Sequence, residues 1–297
     1  MTSVSIVMAN FNREAFIAIA IESVREQTWT DWELLIVDDG STDGSCSIAE
    51  RYASLDSRIR VHGQSNAGQA RARNVGIAGT RAPLVCFIDS DDVWTPPKLE
   101  RQIAFMSDPS IDVLYGEEDL IDERGNPVPE IKMTRHAGSI WRALLADNFI
   151  TFSTTMVRRA ALERVGGFDA EIRRADDYDL WLRLSVFANF QYRPELWGFY
   201  RVGTRQISRD KTGRFASNER ILRRFLDENP DLAGREVVRS TWCRFYARQA
   251  RSLAASGQRL RAMQTAAKSL RWDPRQPFGW RALARATLSG PLDNQGD

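Results

Sequence analysis

The chain has 297 residues, 43% of them hydrophobic and nine of them Trp, which is enough for one large core or for a domain with an appendage. No stretch approaches the ~20 apolar residues a membrane-spanning helix needs. The three Cys (Cys46, Cys86, Cys243) and two His (His62, His136) are scattered, which argues against a disulfide framework and a zinc site and for reduced thiols in a cytoplasmic protein.

Net charge is only +2, but it is unevenly distributed: residues 1–200 balance to −9 and residues 201–297 to +11. The acidic two-thirds would repel a nucleic-acid backbone, so the basic end reads better as facing an anionic membrane surface. A helical appendage lying along the acidic domain would explain the same asymmetry.

In chain order, Val4–Ala9 reads as a buried strand with no signal-peptide pattern before it. Ala15–Val24 has helical spacing, and Leu34–Val37 is a second strand running into Asp38-Asp39-Gly40-Ser41-Thr42-Asp43. Thr42 or Asp43 is placed to cap a helix reaching about Ser54. Ile59–Val61 is a short strand, Gln69–Ala78 a helix, and Leu84–Ile88 a run buried on both faces. Alternation at this spacing predicts an α/β fold with a mostly parallel sheet flanked by helices. After a helix at Lys98–Ser107, Val113–Tyr115 and Leu120-Ile121 read as strands before a hairpin turn at Glu123–Asn126. Ser139–Leu145 looks helical, Thr154–Val157 extended, and Arg158–Val165 helical until Gly166-Gly167 stops it. Asp176–Phe187 is an amphipathic helix, followed by strands at Phe190–Tyr192 and Trp197–Tyr200.

From about Asp210 only helices are expected: Phe215–Glu228, Val237–Ala255, Leu260–Trp272 and Phe278–Leu288. Their punctuation is similar to that of tetratricopeptide units, but only one unit fits and an array needs about three. The chain therefore divides into a domain over 1–208, a basic all-helical C-terminal extension over 209–290, and a disordered tail over 291–297.

Asp89, Asp91 and Asp92 end the fourth strand, where α/β sheets place ligands. Three carboxylates there suit a divalent cation held beside a phosphate, or else a solvated acidic turn ahead of Pro96-Pro97. Asp38 and Asp39 end the second strand on the same edge, suited to a base N–H or a ribose hydroxyl, or to an Asx turn. GxGxxG and Walker loops are both missing, so the phosphates of a bound nucleotide need another source of positive charge. Arg71 and Arg73 lie near a helix start suited to phosphate, and their spacing lets one of them at most meet a ligand. Asp176, Asp177 and Asp179 open the later helix; one cap needs one Asp, so a carboxylate is left over to serve as a general base. Trp94, Trp141 and Trp181 are core residues or platforms for sugar rings.

Together Val4–Arg13, Val37–Asp43, Asn66–Gly76, Phe87–Asp92, Gly166–Asp169 and Asp176–Leu184 resemble family 2 glycosyltransferases of the GT-A (Rossmann-like) fold, over about residues 3–208. The resemblance implies inverting transfer of a sugar from a nucleotide-diphosphate donor to an acceptor hydroxyl, in surface polysaccharide or glycolipid synthesis. It implies that Ala9, Phe11, Arg13, Asp39, Gly68, Arg71, Arg73 and Asp91 serve the nucleotide, with Asp39 on the base. Asp89, Asp91 and Asp92 fall on the DxD motif and imply Mg²⁺ or Mn²⁺. Asp177 is the implied base and Asp176, in place of the usual Glu, the second choice. Gly203 stands where many relatives carry a His, with Arg205 near enough to help, and Ala9 replaces the commoner Pro. The alternatives are a nucleotidyltransferase and a non-catalytic sugar-nucleotide-binding module. A saccharide or lipid-linked saccharide is the expected acceptor, and nucleic acid is not expected as a partner. The basic helices are expected to hold the protein peripherally at the inner face of the plasma membrane, or to form a homodimer.

Overall fold

The computed structural model describes residues 2–129, 132–203 and 211–288. The tail 291–297 and Arg205 lie outside the described residues. Two compact units emerge, Met1–Leu144 with Asn148–Arg209, and Leu145–Asp147 with Asp210–Asp297. No described helix is long and apolar enough to cross a membrane.

The first unit begins with β1 (Val4–Asn10), α1 (Ile17–Arg25), β2 (Trp32–Asp38), α2 (Ser45–Leu55), β3 (Ile59–Gly63), α3 (Gln69–Ala78) and β4 (Leu84–Phe87). β5 (Val93-Trp94), α4 (Lys98–Met106), β6 (Val113–Ile121), β7 (Pro127-Val128) and α5 (Trp141–Leu144) follow. A 3-10 turn at Phe152–Thr154 leads to β8 (Met156–Arg158), α6 (Arg159–Val165), α7 (Asp176–Ser185) and β9 (Phe190–Arg201). The strands form one sheet in the order β3-β2-β1-β4-β8-β6-β9-β5, with β7 paired to β6. β3, β2, β1 and β4 run parallel, as do β6 and β9, whereas β8 is antiparallel to both its neighbours. This is the mostly parallel α/β sheet expected from the alternation.

Two differences concern the second half. Val113–Tyr115 and Leu120-Ile121 are one strand, as are Phe190–Tyr192 and Trp197–Tyr200. Polar residues interrupt each apolar run, yet β6 and β9 pair through them with register shifts around Glu117. Backbone hydrogen bonding carries a strand across positions whose side chains face water.

The strands nearest the site are buried on both faces, which explains why their sequences are apolar without alternation. Val4, Ile6, Met8, Leu34, Ile36, Cys86 and Ile88 join Ile17, Ile21 and Val24 of α1 in the main core. α3 packs close to β1 because Gly76 has no side chain; a Cβ there would stand 2.3 Å from Val7 Cγ1. The apolar tryptophan surface is spent here too. Trp94, Trp141 and Trp181 are all buried, so they are core and not sugar platforms.

The second unit contains α8 (Lys211–Glu228), α9 (Arg235–Ala255), α10 (Arg259–Trp272) and α11 (Pro277–Leu288). α9 and α10 are joined at Gly257, whose φ of +76° ends α9 in the left-handed region. The Gly257 amide donates to Ala254 O and the Gln258 amide to Leu253 O, the paired bonds of a Schellman turn. Buried Ala247, Ala250, Ala266 and Ala282 form one contact cluster and Ala254, Ala262 and Ala286 another, so small side chains let these helices approach closely.

Candidate active site

β2, β1 and β4 are adjacent and parallel, so their carboxyl ends open on one edge. The site is built there from the inside outwards. Asn10, the last residue of β1, is buried and donates to Asp38 Oδ1 (2.7 Å) and Ser45 Oγ (3.0 Å). Asp38 also accepts from the Ser41 amide (3.0 Å) and hydroxyl (2.6 Å), so it closes the turn after β2.

Asp39 is buried and accepts from Gln64 Nε2 (2.7 Å) and the amides of Ala67 (2.8 Å) and Gly68 (2.8 Å). A carboxylate has about four acceptor sites, so this anchoring of the 64–68 loop leaves one direction for a base. Gly68 lies at φ +97°, a conformation that favours glycine, and it leads directly into α3. Ala9 is half-buried beside this edge and Phe11 is 45% exposed, an aromatic face held out at the mouth. Asn12 takes φ +52° while its own amide donates to Ser41 Oγ and its side chain accepts from the Thr42 amide.

Arg73 is the hub of the site. It is buried, and its guanidinium donates to Asp176 Oδ2 and to Asp89 Oδ1, each at 2.7 Å. The plane lies 3.8 Å from the centroid of Phe152 and 5.4 Å from that of Phe168. Burial opposes its charge, but Asp176 and Asp89 outweigh this and hold its pKa above the usual guanidinium value. Arg71 does not join this cluster; it is on the surface, 3.6 Å from exposed Glu171.

The acidic strand end divides its three carboxylates among different partners. Asp91 accepts from Arg13 Nε at 3.0 Å. Asp92 turns inward, taking the Ser153 hydroxyl (2.5 Å) on one oxygen and the Arg201 amide (3.0 Å) on the other. Arg201 Nε also donates to Asp91 O at 2.9 Å, so this arginine ties β9 to the motif. Burial and then the neighbouring Asp89 push the Asp91 carboxyl up, and burial with Asp91 and Asp89 pushes Asp92 well up. Among the described residues no group of three His, Cys, Asp or Glu side chains could hold a metal. Each carboxylate of the expected triad has a protein partner: Asp92, the most buried, has Ser153 and Arg201, whereas the more open Asp91 and Asp89 meet Arg13 and Arg73. Two carboxylates remain a chemically fitting donor set for Mg²⁺ or Mn²⁺ when substrate phosphates complete the shell. At Gly203 a Cβ would stand 2.8 Å from Glu123 Oε1, so a side chain there requires Glu123 to move.

The fourth wall comes from α7. α6 stops at Gly166 (φ +74°), where the Gly166 and Gly167 amides return to Glu163 O and Leu162 O. Asn74 then clamps the chain, donating to Phe168 O and accepting from the Phe168 amide, both at 2.8 Å. A left-handed Ala175 (φ +58°) opens α7. Its three Asp have separate partners. Asp179 pairs with Arg183 (2.8 Å), which also caps the end of α6 at Val165 O. Asp176 is buried against Arg73, and burial with the repulsion of Asp177 raises its pKa despite that cation. Asp177 is only half-buried, and its Oδ2 accepts from Asn148 Nδ2 at 2.9 Å. Asn148 and Ser153 have no motif around them, and Arg201 lies in the Tyr200-Arg201-Val202-Gly203 stretch in which only the Gly203 position drew notice; the roles of all three come from contacts across the fold.

Residues 5–166 match the model of glycosyl transferase family 2. The chain belongs to that family.

This glycosyltransferase is 32% identical over 235 residues to WfgD of Escherichia coli, a UDP-Glc:α-D-GlcNAc-diphosphoundecaprenol β-1,3-glucosyltransferase, with 76% of the chain and 87% of WfgD covered. It is 29% identical over 243 residues to TuaG of Bacillus subtilis, a glycosyltransferase assigned to teichuronic acid biosynthesis, with 81% and 92% covered. Its fold resembles that of S. aureus TarS 1–349 in complex with UDP-GlcNAc, with a TM-score of 0.62 at 19% identity, covering 91% of this chain and 89% of that one. Against the longer TarS chain the TM-score is 0.67 at 18% identity, and 95% of this chain covers 53% of it. A mannosyltransferase from Pyrobaculum calidifontis, in complex with GDP-Man and Mn²⁺, shares the fold at a TM-score of 0.57 and 19% identity, with 98% and 88% covered. The transferase thus has the GT-A fold, and its activity is sugar transfer from a nucleotide-diphosphate donor to an acceptor hydroxyl. The nucleotidyltransferase and non-catalytic alternatives fall away.

Proposed function

We propose that the transferase builds a surface polysaccharide or glycolipid, attaching a sugar to a lipid-linked saccharide with inversion and with the help of Mg²⁺ or Mn²⁺. The observation that carries this reading is Arg73, which joins Asp89 of the acidic strand end to Asp176 beside Asp177 through two bonds of 2.7 Å. One buried cation therefore ties the donor-facing carboxylates to the helix that offers a base.

In this reading Phe11 and Ala9 flank the nucleotide base, and Asp39 shapes the 64–68 loop over it, with Gly68 giving the backbone close approach. Asp91 and Asp89 would hold the metal, which supplies Lewis-acid stabilisation of charge on the departing diphosphate. Arg13 is drawn to Asp91 and adds positive charge at the same place. Asn148 fixes one oxygen of Asp177, leaving the carboxylate poised to accept the proton of the acceptor hydroxyl. Asp176 has its charge directed at Arg73, so it serves as a positioning residue and Asp177 as the base.

The acceptor class follows from WfgD, whose named acceptor is a diphosphoundecaprenol-linked sugar. A lipid acceptor places a cytoplasmic enzyme peripherally at the inner face of the plasma membrane, and the +11 balance of residues 201–297 supports that placement. The test is an assay of UDP-, GDP- and dTDP-sugars with Asp177→Asn. Transfer should fall roughly 10²–10⁴-fold while thermal stabilisation by the nucleoside diphosphate with Mn²⁺ is kept. Full activity in that variant removes Asp177 as base.

A further inference from the structure

The outer face of the α10–α11 hairpin combines features that an aqueous surface does not explain. The two helices are antiparallel neighbours: Arg259 donates to Thr287 O at 2.8 Å, and a Cβ on Gly279 would meet Leu270 Cδ2 at 2.7 Å. Their inner faces are Ala262, Ala266, Ala282 and Ala286, all fully buried. Outward, Leu260 is 71% exposed and Met263 38%, three residues apart on α10, with exposed Ala267 one turn further. On α11, Trp280 is 55% exposed, followed one turn on by exposed Ala284. Trp280 Nε1 already donates to Pro274 O at 2.8 Å, so its polar edge is satisfied within the chain while its ring stands out.

Charge accompanies the apolar stripe. Residues 256–288 contain seven Lys and Arg, all exposed, against one acidic residue, Asp273. Asp273 itself is engaged by Arg239 at 3.2 Å. A helical hairpin facing only water usually alternates charge to gain i,i+4 pairs, which this one cannot.

We infer that the exposed side of the α10–α11 hairpin, which carries Leu260, Met263 and Trp280 among exposed arginines, is a docking surface for an anionic lipid bilayer. Each half of the pattern has a counterpart there. Phosphate headgroups neutralise the cations, the acyl boundary accepts the Leu and Met, and an indole with a satisfied N–H sits at the interface. A nucleic-acid backbone would leave the apolar stripe wet. A second copy of the same basic hairpin would set like charge against like charge. This inference rests on the membrane placement proposed above and assigns it to one face.

The experiment uses the full chain in flotation with vesicles of phosphatidylglycerol and phosphatidylcholine, and of phosphatidylcholine alone. Binding should require the anionic lipid and weaken as salt is raised. Arg281→Gln with Arg285→Gln should weaken it roughly 25-fold, at about fivefold per surface arginine. Leu260→Asp with Trp280→Asp should abolish it, with unchanged helical circular dichroism and unchanged transfer to a soluble acceptor. Equal binding to neutral vesicles, no binding at all, or variants that float like the parent would overturn the inference. So would a dimer by light scattering that these same variants dissociate, which would assign the face to a second copy. Asp177→Asn should float normally without transferring sugar, so failure of the catalytic reading and failure of this one are told apart.

Discussion

Arg73→Met removes the cation between two parts of the candidate site while keeping much of the side chain's volume. The buried carboxylate of Asp176 then loses a partner at 2.7 Å, and Asp89 loses another at the same distance. Stranding a buried charge in this way costs about 3–5 kcal/mol, which for a unit of this size lowers Tm by roughly 10 °C. The sign of its pH dependence is also fixed. Burial already holds the Asp176 pKa above its unfolded value, and losing Arg73 raises it further. A group raised in the folded state loses stability as pH climbs from the unfolded pKa through the folded one, so the penalty is smaller near pH 5 than near pH 8. The assay is urea denaturation of parent, Arg73→Met, Asp176→Asn and the double variant. Because the two side chains share one interaction, the double variant should recover much of the loss, with a coupling of about 2–3 kcal/mol. Effects that add to within about 0.5 kcal/mol would refute the argument that Arg73 is held for Asp176.

Asp39→Asn puts an amide where three N–H donors converge; it should cost about 1–3 kcal/mol and weaken nucleoside diphosphate binding, read by denaturation and by calorimetry. Unchanged affinity would show that the 64–68 loop does not shape the base pocket. Lys98 is fully buried, bonded to Gln102 at 2.7 Å and set over Trp94, with burial lowering its pKa to about 8. Between about pH 8 and 10.5 the unfolded chain binds the extra proton, so this group makes stability rise with pH, by about 2 kcal/mol from pH 8 to 9.5. Lys98→Met should flatten that slope in denaturation curves; a slope that persists would assign it elsewhere.

Much of the candidate site was legible because its residues follow strands. An apolar run that ends in carboxylates signals a sheet's carboxyl edge, and two such ends, at Asp38-Asp39 and Asp89–Asp92, lie side by side because β2, β1 and β4 are neighbours. The division of labour within each run was not legible. Asp38 and Asp39 are adjacent and chemically identical, yet one closes its own turn and the other anchors a loop 25 residues or more away. Arg71 and Arg73 differ only in which side of α3 they occupy, and only packing against Phe152 and Phe168 decides which is buried.

The sequence by itself determined the parallel α/β plan, the order of its motifs, the helical end and its charge, since each is a matter of local periodicity and composition. Tertiary structure alone decided which carboxylates remain available for chemistry. Asp92 is taken by Ser153 and Arg201 and Asp176 by Arg73, partners 60 or more residues away, whereas Asp179 meets Arg183 one turn along its own helix. A buried charge must find an opposite charge or donor wherever the fold brings one, and that pairing has no signature in the neighbouring sequence.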